Sequence, residues 1–356
     1  MSRIHNFSAG PGVLPEGVVR QAQADLWNHE AAGIGILECS HRSKQFDDVI
    51  ESAKARLSHL LNLDDDQEVL FLHGGARTQF FMIPMNLLRG GRATYLDTGT
   101  WSDGALVEAR RFGQVDVPFS SRTHVPQPGE WGEVPENTRY LHYTSNNTVA
   151  GTEFHHRPDP GPGWLICDMS SNFLSKPVDG SKFDLIYAGA QKNVGPSGTT
   201  VVVLRKSLLE HCDTDLPKML QYGIHVNKGS MYNTPCTFSI YVIEKVTAWL
   251  EDNGGIAAME SRNIEQADKV YGLIDSTAFW QGKVDVESRS RMNITFTTGE
   301  PELDTRFWKQ ALEEGMSGLK GHRSVGGLRA SLYNAQTHEA VDALVDFMKT
   351  FEQTHG

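Results

Sequence analysis

The sequence predicts an α/β fold. A large domain carries a mostly parallel seven-stranded sheet with one antiparallel strand, flanked by helices, and a smaller α+β domain follows it. Three observations lead there. Seven short runs, at residues 69–73, 93–97, 114–118, 139–144, 164–168, 184–188 and 199–204, are continuously apolar rather than alternating, which marks strands buried on both faces. Segments of helical length, such as 77–88 and 102–112, separate several of them, as the crossovers of a parallel sheet require. Only ten residues, 189–198, with Pro196 among them, join the last two runs. A parallel crossover needs about a dozen residues or more, so the run at 199–204 is expected to return antiparallel to the one at 184–188.

The other elements follow in chain order. Residues 1–12 are polar and rich in Gly and Pro, without the apolar core of a secretory signal. Phe46, Val49, Ile50, Ala53, Leu57, Leu60 and Leu61 recur at three- and four-residue steps, which predicts a helix over 46–61. After residue 204 the texture changes. A helix is expected over 238–250, closed by Asn253-Gly254-Gly255, and a second over 256–274. A strand at 292–297, a helix at 303–314, a strand at 328–333 and a helix at 338–351 complete the smaller unit. The large domain is expected over residues 15–255, with residues 1–14 joining 256–356 in the small one.

Composition narrows the function. The chain has 356 residues, 39% hydrophobic and 22% charged, an ordinary globular balance that supports about two or three domains. No apolar run approaches the roughly 18–20 residues of a membrane span. Thirty-three basic against 44 acidic residues leave a net charge of −11, a poor partner for nucleic acid or an anionic membrane. Cations for a small anionic ligand would have to be gathered locally. Cys39, Cys167, Cys212 and Cys236 are far apart with no CxxC pair, which argues against a disulfide framework or zinc ribbon and fits a reducing cytoplasm. The 14 histidines are scattered without HExxH, so no metal is expected.

The chemistry gathers at strand ends. Lys192 stands in Tyr187-Ala-Gly-Ala-Gln-Lys-Asn-Val-Gly-Pro, a turn of small residues after a buried strand, where ligands bind in open α/β sheets. A lysine amine that is partly deprotonated in a desolvated pocket can form a Schiff base with an aldehyde. Pyridoxal 5′-phosphate offers that aldehyde and needs an acidic partner for its ring nitrogen. Asp168 closes another buried strand, Trp-Leu-Ile-Cys-Asp, and has the right chemistry; it can equally cap a helix beginning at Met169-Ser170-Ser171. His73-Gly74-Gly75-Ala76-Arg77-Thr78 is a glycine turn between a strand and a helix start, suited to phosphate. Trp101 also follows a strand and could stack on a flat cofactor, or serve as a core or interface residue.

In order along the chain, Asn6-Phe7-Ser8-Ala9-Gly10-Pro11, Ser40-His41-Arg42, His73-Gly74-Gly75-Ala76-Arg77, Tyr187 to Asn193, Gly229-Ser-Met-Tyr-Asn233-Thr234-Pro235, and Gly321-His322-Arg323 with Gly326-Gly327-Leu328-Arg329-Ala330-Ser331 resemble the phosphoserine aminotransferase family of the fold-type I pyridoxal-phosphate enzymes. The resemblance runs nearly end to end. It implies Lys192 as the Schiff-base lysine and general base, Asp168 at the ring nitrogen, Trp101 stacking, Thr148 near the ring oxygen, and Ala76, Arg77 and Gln191 at the phosphate. Asn233 and Thr234 would reach the phosphate of a second subunit's cofactor, so the enzyme would be a homodimer with shared sites. The family usually has glycine at the position of Ala76; the backbone N–H survives that change.

The substrates implied are L-glutamate and 2-oxoglutarate with phosphorylated hydroxy-amino and keto acids. These are 3-phosphohydroxypyruvate and phosphoserine, and the 4-phosphohydroxythreonine pair of pyridoxine synthesis. Arg329 would hold the α-carboxylate in a bidentate fork. His41, Arg42, His322 and Arg323 would hold the phosphate or γ-carboxylate, some of them across the dimer interface. The rivals are an alanine–glyoxylate-type aminotransferase, a cysteine desulfurase (for which Cys39 lacks the mobile loop), a catalytically silent scaffold, and a nicotinamide dehydrogenase, whose GxGxxG is absent.

Overall fold

The computed structural model describes residues 3–356. Its central sheet has seven strands: β1 (Gln67–His73), β2 (Arg92–Asp97), β3 (Gln114–Ser120), β4 (Thr138–Thr144), β5 (Trp164–Asp168), β6 (Leu185–Gly189) and β7 (Thr199–Arg205). Their spatial order is β1-β7-β6-β5-β4-β2-β3. β2, β3, β4, β5 and β6 pair in parallel, whereas β7 runs antiparallel to both β6 and β1. The ten-residue connection therefore reverses the chain as expected.

Helices α1 (Glu16–Asp25), α2 (Lys44–Leu60), α3 (Arg77–Leu87), α4 (Thr100–Ala109), α5 (Tyr222–Asn227) and α6 (Thr237–Asp252) accompany the sheet. Phe46, Val49, Ile50, Ala53 and Leu57 of α2 join Ile240, Ile243 and Val246 of α6 in a core that includes Val69, Leu141, Leu165 and Val201 of the sheet. Phe80, Ile83 and Leu87 of α3 with Ala105 and Leu106 of α4 join a second core containing Leu70, Ile166, Leu185 and Val202. Alternate residues of one strand fall in different cores, which is why these strands read as unbroken apolar runs. β3 departs from that reading. It lies at the sheet edge, its residues are exposed or half-buried, and Asp116 there pairs with Arg92 at 3.2 Å.

Beyond α6, α7 (Gly255–Ser276), α8 (Pro301–Glu313) and α9 (His338–His355) accompany β8 (Asn293–Thr297) and β9 (Leu328–Ser331), which pair antiparallel. Val270, Ile294, Phe296, Phe307, Leu328, Val341, Leu344 and Phe351 form a third core, and Phe7 of the N-terminal segment belongs to it. His5–Asn6 pairs in parallel with Met316–Ser317. The chain then returns to the large sheet, where Gly12 N–H donates to the Gln191 carbonyl at 2.7 Å. Residues 5–12 thus tie the third core to the turn after β6.

Candidate active site

The C-terminal ends of β1, β2, β5 and β6 converge on a cavity of about 310 Å³ lined by Gly75, Ala76, Arg77, Phe80, Trp101, Asp168, Ser170, Gln191 and Lys192. Lys192 lies in a turn made by Val194 and Gly195 N–H groups donating to the Ala190 carbonyl, at 3.2 and 2.9 Å. The residue is 9% exposed. Nζ donates to Thr148 Oγ1 at 2.7 Å and stands 5.5 Å from the Trp101 ring centroid. Burial, joined by the positive charge of Arg329 and opposed by Asp168, brings the amine down to about 8. At pH 7 about one molecule in ten then carries the free amine, against about one in a few thousand at an ordinary lysine pKa.

Asp168 is 3% exposed. Burial pushes its carboxyl up, while Lys192, Ser170 and Tyr187 oppose the rise. Ser170 N–H donates to Oδ1 at 2.8 Å, so part of the helix-cap expectation is realised. However, turns rather than a helix follow Met169, and the carboxyl lines the cavity.

Trp101 sits in the first turn of α4, which begins at Thr100 rather than Ser102. The reason is Ser102: its hydroxyl accepts from Thr98 and Gly99 N–H, both at 2.9 Å, and so fixes the helix start two residues earlier. The Arg77 guanidinium is 5.2 Å from the same indole. In the glycine turn, Gly74 takes the left-handed conformation at φ +92°. Ala76 has φ −52° and ψ −25° at the start of α3, so alanine is unstrained there.

Arg329 on β9 reaches back to the large sheet, where Nη1 donates to the Thr148 carbonyl at 3.2 Å. Its charge acts on both Lys192 and His322. His322 is half-buried and shares a 2.7 Å hydrogen bond with Ser324 Oγ; Arg323 is exposed. His41, half-buried, and Arg42, exposed, precede α2 and do not line the cavity. Asn233 and Thr234 are exposed as well. They stand beside His73 of their own chain, whose Nε2 lies 3.0 Å from the Thr234 carbonyl oxygen.

Some contributors are invisible to motif reading. Gly12 packs so closely that a Cβ there would lie 2.8 Å from the Lys192 carbonyl oxygen and 2.6 Å from Tyr333 Cδ2. The Tyr333 hydroxyl donates to the Ala9 carbonyl at 2.7 Å. Tyr187 stands within the lysine motif, where its sequence position assigns it no role, and it faces Asp168 from the neighbouring strand.

The residues fit pyridoxal 5′-phosphate. Trp101 Nε1, Gln191 Oε1, Thr144 Oγ1 and Arg329 Nε are buried without a hydrogen-bond partner among the described residues, so polar capacity is left over around the cavity. Gly75 opens on free space at the N-terminal end of α3, where a phosphate is favoured. A flat, phosphorylated aldehyde meets these demands together, which puts the chain among the pyridoxal-phosphate enzymes.

Comparison with known proteins narrows that class. The family described as aminotransferase class-V matches residues 4–344. A phosphoserine aminotransferase of Desulfatibacillum aliphaticivorans is 49% identical, covering 100% of this chain and 99% of its own. A solved phosphoserine aminotransferase from Bacillus circulans subsp. alkalophilus superposes with a TM-score of 0.97 at 46% identity over 99% of each chain. A pyridoxal-phosphate-bound one from Trichomonas vaginalis gives 0.92 at 40% identity over 98% of this chain and 100% of its own. The chain belongs to the class-V aminotransferases and, within them, to the phosphoserine aminotransferase family, so it is a pyridoxal-phosphate-dependent aminotransferase. An alanine–glyoxylate aminotransferase from Nostoc, 15% identical with a TM-score of 0.77, shares the fold alone.

Proposed function

We propose that the enzyme moves the amino group of L-glutamate to 3-phosphohydroxypyruvate, giving O-phospho-L-serine and 2-oxoglutarate. The observation that carries this is a buried lysine whose Nζ donates to Thr148 Oγ1 at 2.7 Å in a cavity it shares with Asp168, Trp101 and Arg77, in a chain of this family. When bound, pyridoxal phosphate supplies an aldehyde for a lysine amine and a ring that withdraws electrons from the substrate α-carbon. Lys192 would anchor it, Asp168 would meet the ring nitrogen, Trp101 would cover one face and Thr148 the ring oxygen. Gly75, Ala76, Arg77 and Gln191 would receive the phosphate. Lys192 can hold or release a proton near neutral pH and so act as base and acid toward the α-carbon. Thr148 Oγ1 orients that amine, and Arg329 offers its guanidinium to the substrate α-carboxylate.

His41, Arg42, His322 and Arg323 are proposed to bind the distal phosphate or γ-carboxylate, an exchange that imidazole protonation can accommodate. Arg42, Asn233 and Thr234 are exposed in the single chain, which supports their serving a second copy's site. Trp27, 86% exposed, and the exposed Leu26, Ile34 and Leu37, in the segment that precedes His41 and Arg42 along the chain, are apolar groups a second copy could cover. We infer a homodimer on these grounds. We also infer division into residues 15–255 and residues 1–14 with 256–356, supported by Phe7 in the third core. A cytoplasmic setting is supported by four free cysteines.

The 4-phosphohydroxythreonine pair offers the same phosphate and α-carboxylate, and we include it as a second substrate pair. The test is a paired assay of the purified enzyme with glutamate and each phosphorylated substrate. Amino transfer to 3-phosphohydroxypyruvate is expected, and transfer only to unphosphorylated keto acids would overturn the reading.

A further inference from the structure

Behind Asp168, on the sheet face that carries α3 and α4, a row of polar side chains crosses an otherwise apolar core. Tyr187 on β6 is the register partner of Asp168 on β5. Across Ile166, the Tyr187 hydroxyl lies 2.9 Å from His142 Nε2. The imidazole stacks on Tyr95, with centroids 4.6 Å apart and planes inclined by 21°. Tyr95 OH in turn lies 3.0 Å from Tyr140 OH. Tyr187, His142, Tyr95 and Tyr140 are at most 1% exposed. Leu70, Ile166, Leu185 and Val202 surround the row. Polar groups so deeply buried are costly unless hydrogen-bonded, and packing alone would be better served by Phe and Leu.

The direction of the row follows from its ends. Burial pulls His142 down to about 3, so the ring is neutral and carries one proton. Nδ1 has no partner among the described residues. A proton on Nε2 leaves Nδ1 as a bare acceptor and donates to the Tyr187 oxygen. The Tyr187 hydroxyl is then free to donate to Asp168, and Tyr187 is among the groups that hold that carboxyl down. The opposite arrangement would give the Nδ1 proton only the backbone carbonyl of its own residue and turn the Tyr187 proton away from Asp168.

We propose that His142 and Tyr187 are positioning residues that donate in sequence toward Asp168, keeping its carboxylate ionised and aimed into the cavity. Around this path, Lys192 and Ser170 also face Asp168, while Cys167, Tyr95 and Tyr222 of α5 bear on Tyr187. All of these stay in place in the variants below. The proposal deepens the role given to Asp168 and rests on that reading only for its catalytic consequence.

The test is the pKa of the Asp168 carboxyl in the full-length, cofactor-free protein, followed by carbon-13 NMR and assigned by its loss in Asp168→Asn. Tyr187→Phe is expected to raise it by about one unit or more, as loss of a donor to the charged form requires. His142→Leu is expected to act in the same direction, and His142→Gln, which keeps a donor, to restore most of the difference. In the holoenzyme, kcat of Tyr187→Phe should fall about tenfold with KM within twofold, and the acid limb of its pH profile should move up. An unchanged Asp168 pKa in Tyr187→Phe, with only a lower melting temperature, would reduce the row to packing and overturn the proposal. Where Tyr187→Phe fails to fold, equal Asp168 values in His142→Leu and His142→Gln would overturn it. The titration needs no cofactor, so failure of the proposed reaction leaves this result intact and separately readable.

Discussion

Lys192 should make the folded chain less stable at neutral pH than at alkaline pH, by an amount the structure fixes. Its amine falls from an ordinary 10.5 to about 8, and the residue is only 9% exposed, so solvent screens little of the effect. At 1.36 kcal/mol per pKa unit, that interval corresponds to about 3 kcal/mol. Below pH 8 the lysine is protonated in both folded and unfolded chains, and the folded chain bears the full cost of a desolvated ammonium. Between about pH 8 and 10.5 the folded chain releases its proton first, the unfolded chain binds more protons, and stability rises with pH. The reference is Lys192→Met, in which this titration is absent. Its own penalty is the loss of the cation that holds the buried Asp168 carboxyl down. The assay is urea unfolding of both cofactor-free proteins at several pH values from 7 to 10.5, compared as a difference so that other titrating groups cancel. The wild type should gain about 3 kcal/mol on the variant across that range. A difference that does not change with pH would refute the reasoning and return Lys192 to the status of an ordinary lysine.

Three further outcomes are expected. Asp168→Asn removes the charge that supports protonated Lys192, so the pH midpoint for acylation of Lys192 in the cofactor-free protein should drop below 8; turnover should fall by about a hundredfold or more, within the range of lost acid–base catalysis. Arg329→Gln removes a positive neighbour, so the same midpoint should rise, and KM for glutamate should increase about tenfold or more through loss of a charged hydrogen-bond pair; an unchanged KM would place the α-carboxylate elsewhere. Gly12→Ala places a Cβ 2.6 Å from Tyr333 Cδ2, an overpacking that should cost about 1–3 kcal/mol in urea unfolding and slow cofactor attachment; wild-type behaviour in both would contradict the close packing of Gly12 against Tyr333 and the Lys192 backbone.

What could be read from the sequence depended on whether a property is local. The reversed strand β7 followed from a connection too short to cross over, and β7 pairs antiparallel on both sides. Lys192 and Asp168 stood out as polar residues ending apolar runs, and the sheet order that brings β5 beside β6 places them at one cavity. Trp101 was legible as a strand-end aromatic, but its place in α4 was not, because the helix start is set by Ser102 hydroxyl bonds. Arg329 reads as an ordinary strand residue, and only the approach of β9 to Thr148 gives it a partner. His142 is hidden for a stronger reason. A histidine inside an apolar run carries no local signal, and its contact with Tyr187, 45 residues away, exists only once the register of β4, β5 and β6 is set. β3 read as a doubly buried strand because its composition matches the others; its edge position, which exposes it, is a property of topology. His41, Arg42, Asn233 and Thr234 came only from family resemblance, and none of them is among the described residues that line the cavity within one chain.

The most direct measurement asks where the cofactor is attached. The enzyme loaded with pyridoxal phosphate is reduced with borohydride, digested, and its peptides are weighed by mass spectrometry. The added mass should fall on the peptide containing Lys192 and vanish in Lys192→Ala; mass on another lysine, or an enzyme that transfers amino groups without Lys192, would contradict the account.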